Sequence, residues 1–144
     1  MSRAEIAIAC FKEGFSCSQA VLSTYAPDLG LDREMAFRVA GAFGAGMART
    51  GQTCGAVSGA LMVIGLEYGQ TQGEDKPAKE KTYALGREFL ERFKARNGGV
   101  VCRELLGHDI STPEEMQAAR DKGLFDSLCP RLVANAVEIL EEIL

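Results

Sequence analysis

One segment constrains the fold of this chain more than any other. Residues 46–66 read GMARTGQTCGAVSGALMVIGL, an apolar stretch with a cysteine near its start. The apolar spacing predicts a helix, and Gly51, Gly55 and Gly59 lie four residues apart on one face of it. Glycine inside a helix costs roughly 1 kcal/mol relative to alanine. We therefore expect these glycines to admit a close neighbour, namely the start of a second helix that carries another cysteine beside Cys54.

The rest of the chain shows helical spacing and no sustained strand alternation. Residues 16–19 form a capping box, residues 112–115 combine a threonine cap with a following proline, and Pro130 opens the last apolar helix. The one linker-like stretch, residues 70–77, is too short to separate two domains, and the length suits one. We predict an all-α fold, a compact bundle of six to eight helices, several of them short, in a single domain over residues 1–144.

Charge and hydropathy exclude several classes of partner. The net charge of -4 argues against nucleic acid, because phosphate binding depends on clustered Lys and Arg. The longest apolar run, residues 54–66, is shorter than the roughly 20 residues that span a bilayer, and residues 1–15 show no signal-peptide pattern. We expect a cytoplasmic protein without membrane insertion, in which thiols stay reduced unless they have a function.

The five cysteines are therefore the main functional question. Four of them stand at the start of a predicted helix, where free N–H groups and the helix dipole lower a thiol pKa and favour the thiolate. Thiolate is the form that ligates metals and attacks disulfides. Cys10 lies within a predicted helix and is interpreted as a core residue. The four at helix starts are Cys17, Cys54, Cys102 and Cys129.

The cysteine spacings leave several functions open. No CxxC or CxxCH occurs, which removes thioredoxin-type motifs, zinc ribbons and c-type haem, so any shared site must be assembled by the fold. The alternatives are an iron–sulfur site for electron transfer, a structural zinc site, a thiol–disulfide oxidoreductase in which Cys54 attacks and another cysteine resolves, or cysteines without chemistry. His108 could add an imidazole ligand, and Arg49 could pair with a thiolate or an anionic ligand.

Four segments in this order resemble a known family. They are FSCSQAVL, GMARTGQTCGAVSGALMVIGL, VCRELLG and LCPRLVANAVEIL. The chain is similar to the redox-active proteins named for a C…GCAxxG…C…C pattern, from about residue 10 to the C-terminus. The family label writes Gly before Cys, whereas here Cys54 precedes Gly55, so the match depends on the wider segment. The same module is similar to part of split-Soret cytochrome c.

The resemblance implies redox or metal chemistry, with an iron–sulfur cluster as the cofactor. Zinc is the alternative that the cysteines themselves leave open. The haem-binding part of split-Soret cytochromes is absent, so no haem is expected. Residue by residue, the resemblance assigns the metal ligands to Cys17, Cys54, Cys102 and Cys129. It assigns the cofactor-binding motif to Gly55, Ala56 and Gly59, and it leaves the redox partner unknown. In the thiol–disulfide alternative, the catalytic residues are Cys54 and Cys17.

The last helix suggests an oligomer. Its apolar face, together with the glycine face, offers more apolar surface than a small helical domain needs to cover. We therefore predict a homodimer. The residues of this face are Leu132, Val133, Ala136, Val137, Leu140 and Ile143.

Overall fold

A computed structural model describes all residues, 1–144, and consists of helices joined by short loops. It confirms the all-α fold with eight helices and no strands. The helices are α1 (Arg3–Lys12), α2 (Cys17–Tyr25), α3 (Arg33–Ala40), α4 (Gly55–Tyr68), α5 (Lys76–Asn97), α6 (Cys102–Leu106), α7 (Pro113–Asp121) and α8 (Cys129–Ile143). Shorter helical turns occur at Ala26–Leu29, Gly41–Phe43 and Leu124–Ser127.

The helix starts form where the capping residues predict them. The Ser16 hydroxyl accepts a hydrogen bond from the Gln19 amide, and the Gln19 side chain accepts one from the Ser16 amide. Thr112 accepts from the Glu115 amide, with proline in the first turn of α7. These bonds satisfy N–H groups that a helix leaves without intrahelical partners. The caps thus fix where α2 and α7 begin, and α2 begins at a cysteine.

Helices α2 and α4 form the centre of the bundle and make the most extensive contact between any two helices. Gly59 allows this close approach. A β-carbon on Gly59 would lie 2.8 Å from the Ser18 carbonyl oxygen and 3.1 Å from the Val21 β-carbon. Around this contact, α4 buries an apolar face that includes Val57 and Ile64. The glycine therefore sets the distance between the two central helices.

Helix α8 covers the other side of the core, against α1 and α5. Its apolar face is buried inside the chain: Val133, Ala136, Val137 and Leu140 have no exposed surface, and Leu132 is 3% exposed. The sequence had suggested this face as surface left over for a second subunit. That reason for a homodimer was wrong, because α1 and α5 already cover the face.

Gly51 departs from the predicted helical face. It lies in the loop before α4 with φ +70°, a left-handed conformation that glycine adopts without steric strain. Helix α4 begins only at Gly55, so Gly55 and Gly59 alone share the face toward α2. No helix of the chain combines the length and the apolar character that crossing a membrane requires.

Candidate functional site

The structure brings four of the five cysteines around one cavity of about 180 Å³. Eleven of its fifteen lining residues are hydrophobic, so the thiols face a space that holds little polar surface. Cys10 is not among them: it is buried in α1, with its sulfur 3.7 Å from the Ser23 hydroxyl oxygen. The cysteines at the cavity are Cys17, Cys54, Cys102 and Cys129.

Each of the four occupies a helix N-terminus. Cys17, Cys102 and Cys129 are the first residues of α2, α6 and α8, and Cys54 is the N-cap of α4. Four helix starts therefore border one apolar cavity, and the Ala56 and Val57 amides at the start of α4 face the Cys54 sulfur. Helix starts favour negative charge, which is the charge that thiolates and their metal complexes carry.

A short antiparallel pairing joins Cys54 to Cys102. The Cys54 amide donates to the Val100 carbonyl oxygen at 2.8 Å, and the Cys102 amide donates to the Gln52 carbonyl oxygen at 2.6 Å. Together with the bridge between Thr53 and Val101, these bonds hold two helix starts side by side. This pairing was not predicted from the sequence. Its signal is the β-branched pair at residues 100–101, set between a glycine turn and Cys102.

Gly55 brings the start of α2 to the same place. A β-carbon on Gly55 would lie 3.2 Å from the Cys17 β-carbon and 3.1 Å from the Ser18 amide nitrogen. Few real β-carbons approach other atoms this closely, so a side chain here would require Cys17 or Ser18 to shift by a few tenths of an ångström. This confirms the expectation that a glycine beside Cys54 admits a second helix start with its own cysteine.

A left-handed turn closes the cavity on another side. Residues 45–49 all have φ between 52° and 68°, although only Gly46 among them is a glycine. Left-handed backbone costs a non-glycine residue roughly 1–2 kcal/mol. Hydrogen bonds hold the turn, including Ala48 N–H to the Ala42 carbonyl and Gln52 N–H to the Gly46 carbonyl, both at 2.8 Å. Backbone strain of this kind concentrates at functional sites.

Gly46, which lacks a side chain, allows this turn to pack closely against Cys102. A β-carbon there would lie 2.7 Å from the Cys102 β-carbon and 2.6 Å from the Gln52 amide nitrogen. The residue types at 47–49 gave no sequence signal for left-handed backbone, since alanine, methionine and arginine all favour right-handed helices. Only the frequent glycines at 44, 46 and 51 marked the region as irregular.

Burial has the largest effect on the pKa of two of the four thiols, Cys54 and Cys102. Burial raises the pKa of Cys54 to about 11, although the Ala56 and Val57 amides act in the opposite direction. Burial also raises the pKa of Cys102 to about 12, and negative charge at Cys54 and Cys129 adds to the rise. For these two thiols, burial in the apolar cavity thus outweighs the lowering of the pKa that was expected from their helix N-termini.

Cys17 and Cys129 behave as a pair. A hydrogen bond between the two side chains raises the pKa of Cys17 well above its usual range, and burial raises it further. The same hydrogen bond lowers the pKa of Cys129 and outweighs the effect of its burial. Cys129 is thus the cysteine that takes the negative charge, with Cys17 as its hydrogen-bond donor.

The two other candidate residues, His108 and Arg49, differ in their position relative to the cavity. His108 does not line the cavity: its Nδ1 lies 2.5 Å from a Glu115 carboxylate oxygen, and its Nε2 lies 3.1 Å from the Lys122 ammonium nitrogen. Both ring nitrogens are therefore engaged away from the thiols. Arg49 does line the cavity, at its exposed edge, and takes part in none of the salt bridges of the chain.

The donor set and its spacing limit the chemistry of the site. Four thiols without an imidazole or a carboxylate form a soft ligand set, which suits iron–sulfur clusters and zinc. No three Cys, His, Asp or Glu side chains converge closely enough to hold a single metal ion. The thiols instead surround a space between them.

Comparison with known proteins agrees with the cysteine pattern. The model of the family described as "Putative redox-active protein (C_GCAxxG_C_C)" matches residues 15–143. That range contains all four cavity cysteines and excludes Cys10. No curated protein and no solved structure matches the chain.

Proposed function

We propose, from the premise that this chain belongs to the C_GCAxxG_C_C family of redox-active proteins, that it transfers electrons through a cysteine-ligated iron–sulfur cluster. The ligands in this proposal are Cys17, Cys54, Cys102 and Cys129. The observation that carries it is that these four thiols, from four separate helix starts, line one apolar cavity. The similarity to the split-Soret module stays a prediction.

The cavity fits a group larger than a single ion. Its volume of about 180 Å³ is several times the roughly 30 Å³ that one water occupies in the liquid. A tetrahedral zinc ion needs every sulfur about 2.3 Å from one point, and no three ligand-type side chains of the chain form such a group. The volume of the cavity therefore supports a polynuclear cluster over zinc. Such a cluster, when bound, supplies one-electron oxidation and reduction.

The chain's own residues prepare the site for thiolates. Metal ligation requires that the cysteines lose their protons, and in the apolar cavity this costs free energy that the bound group must offset. The Ala56 and Val57 amides face the Cys54 sulfur and stabilise its negative charge. Hydrogen bonds of this kind to a ligand sulfur also set the reduction potential of a cluster. In this proposal, Gly55 leaves room for Cys17, and Gly59 acts by holding α2 and α4 together.

The contact between Cys17 and Cys129 supports a second candidate, a thiol–disulfide oxidoreductase. The Cys129 thiolate would attack a substrate disulfide, releasing one substrate thiolate and forming a mixed disulfide. Cys17 would then lose its proton and attack the Cys129 sulfur, releasing the second thiolate and leaving a Cys17–Cys129 disulfide. The substrate is reduced by two electrons and the protein is oxidised by two. Cys54 was the attacking thiol predicted from the sequence, but its raised pKa favours Cys129 for that step.

Metal analysis of protein purified without oxygen distinguishes these candidates. The electron-transfer proposal predicts a brown protein with iron and acid-labile sulfide in stoichiometric amounts. A colourless protein with one zinc per chain would support the zinc alternative. A metal-free protein, in which one disulfide forms on oxidation and links Cys17 to Cys129 in a peptide map, would support the oxidoreductase.

We still propose a homodimer, but its interface would be a surface other than the apolar face of α8. Since α8 is covered, the apolar side chains available to a second copy are the exposed ones, among them Met35, Val39 and Tyr83, at 44%, 53% and 60% exposure. Light scattering at micromolar concentration tests the dimer. A monomeric mass would remove it without affecting the cysteine site.

A further inference from the structure

A cleft of about 590 Å³ lies beside the cysteine cavity, between the left-handed turn and the start of α7. The charged residues that line it are Arg49 and Arg120, and the Asp109 carboxylate accepts a hydrogen bond from the lining residue Ser111. The whole chain carries a net charge of -4, so a cleft lined by two cations and no anion differs from the overall balance. We call this the arginine cleft.

Neither cleft arginine forms a salt bridge within the chain. The two guanidinium groups are therefore the donors that the cleft offers to a ligand.

The hydroxyl groups in the cleft are already engaged. Thr50 donates to the Met47 carbonyl oxygen at 2.7 Å, and Ser111 donates to the Asp109 carboxylate at 2.6 Å. The Thr112 hydroxyl caps α7. Recognition in the cleft consequently depends on the guanidinium pair, whose planar forks match phosphate and carboxylate groups.

The arginine cleft adjoins the cysteine cavity directly. Arg49 and Met116 line both spaces and form the wall between them. Arg49 holds its place as the last residue of the left-handed turn, at φ 64°. The strained turn thus places the Arg49 guanidinium at the edge of the cysteine cavity.

We propose that the arginine cleft binds a small oxyanionic molecule, one that carries a phosphate or a carboxylate group, next to the cysteine cavity. The cleft volume falls in the range of about 300–1,000 Å³ that is typical of small-molecule sites. Arg49 and Arg120 hold the anionic group, and the remainder of the molecule lies against Met116. This site goes beyond the proposed electron transfer, because binding of the anion requires no cluster.

Calorimetric titration in a phosphate-free buffer of low ionic strength tests the site. The probes are pyrophosphate and succinate, which separate phosphate from carboxylate recognition. The variants are Arg49→Gln and Arg120→Gln. Arg87→Gln is the matched control, since Arg87 is exposed on α5, forms no salt bridge and lies outside the cleft. Circular dichroism confirms that each variant is folded, as expected for substitution of exposed side chains.

We expect the unaltered chain to bind at least one probe, and the stronger probe identifies the anionic group. Arg49→Gln and Arg120→Gln should each weaken that binding about tenfold or more, whereas Arg87→Gln should leave it nearly unchanged. Three results would overturn the site. They are no binding of either probe at millimolar concentration, equal weakening of binding by all three substitutions, or weakening of binding on substitution of only one of the two cleft arginines. Because binding is measured without reference to metal content, its failure is separate from a failure of the iron–sulfur proposal.

Discussion

The α-carbon of Gly55 packs directly against the side chain of Cys17, so that a β-carbon added to Gly55 would lie 3.2 Å from the Cys17 β-carbon. One residue before Gly55, Cys54 caps α4, and Cys17 begins α2. A single glycine therefore determines how closely two cysteine-bearing helix starts approach each other.

Replacing Gly55 by valine should disturb the site while the chain still folds. The added side chain pushes Cys17 away from the cavity, so we expect loss of bound iron with helical content retained. Gly65→Val is the matched control: Gly65 lies in the same helix with no atom within 4 Å of an added β-carbon. Iron analysis and circular dichroism of both variants check this. Full iron content in the Gly55→Val protein would make Gly55 a packing residue only.

Gly59→Val should act on stability instead. Its β-carbon would lie 2.8 Å from a backbone oxygen, which cannot move without shifting α2. Overpacking of this kind costs about 1–3 kcal/mol, which urea unfolding of the metal-free protein measures. We expect the folded Gly59→Val protein to keep its iron. A stability equal to that of the unaltered chain would show that α2 and α4 are not held by this contact.

Gly46→Ala tests the left-handed turn. The substitution combines a positive φ of 68° with a β-carbon 2.7 Å from that of Cys102. Gly107→Ala is the control, since Gly107 has φ 72° but no atom within 4 Å of an added β-carbon. We expect about 1 kcal/mol of destabilisation for Gly107→Ala from backbone strain alone. Gly46→Ala should cost more and also lower the iron content; equal effects of the two substitutions would remove the role assigned to the turn.

The metal-free protein should lose stability as the pH rises above 9. Cys54 has a folded pKa of about 11 against an ordinary value of 9.0, so the folded chain holds a proton that the unfolded chain releases. The stabilising contribution is present below pH 9 and is lost as the pH approaches 11, by about 2 kcal/mol. Cys17 and Cys102 act in the same direction and Cys129 in the opposite one. Urea unfolding at pH 8 and pH 10.5 measures the loss, which should be smaller in Cys54→Ala; an equal loss would contradict the burial of this thiol.

Much of the fold followed from local signals in the sequence. The capping box at Ser16, the cap at Thr112 and the helix-breaking glycines act within one turn, so the sequence predicts the positions of α2 and α7 correctly. The placement of cysteines at helix starts came from the same signals. These features depend on neighbouring residues, and a local pattern is enough to predict them.

The features that the sequence did not predict depend on residues far apart in the chain. The pairing of residues 51–54 with 100–103 joins segments about fifty residues apart, and no local pattern shows which partner each will take. The left-handed backbone of residues 45–49 is imposed by its surroundings against the preference of alanine and methionine. Whether the apolar face of α8 is exposed or buried also depends on tertiary contacts. The apolar residues have the same spacing along the helix in both cases.

The central claim is that four particular cysteines form one metal site and the fifth does not. The most direct measurement is the iron content per chain of the five single Cys→Ser variants, each purified without oxygen. We expect Cys10→Ser to keep the iron of the unaltered chain, because Cys10 is buried in α1 away from the cavity. Each of the other four variants should lose most of the iron. Full iron content in the Cys129→Ser protein, or equal losses in all five variants, would contradict this claim.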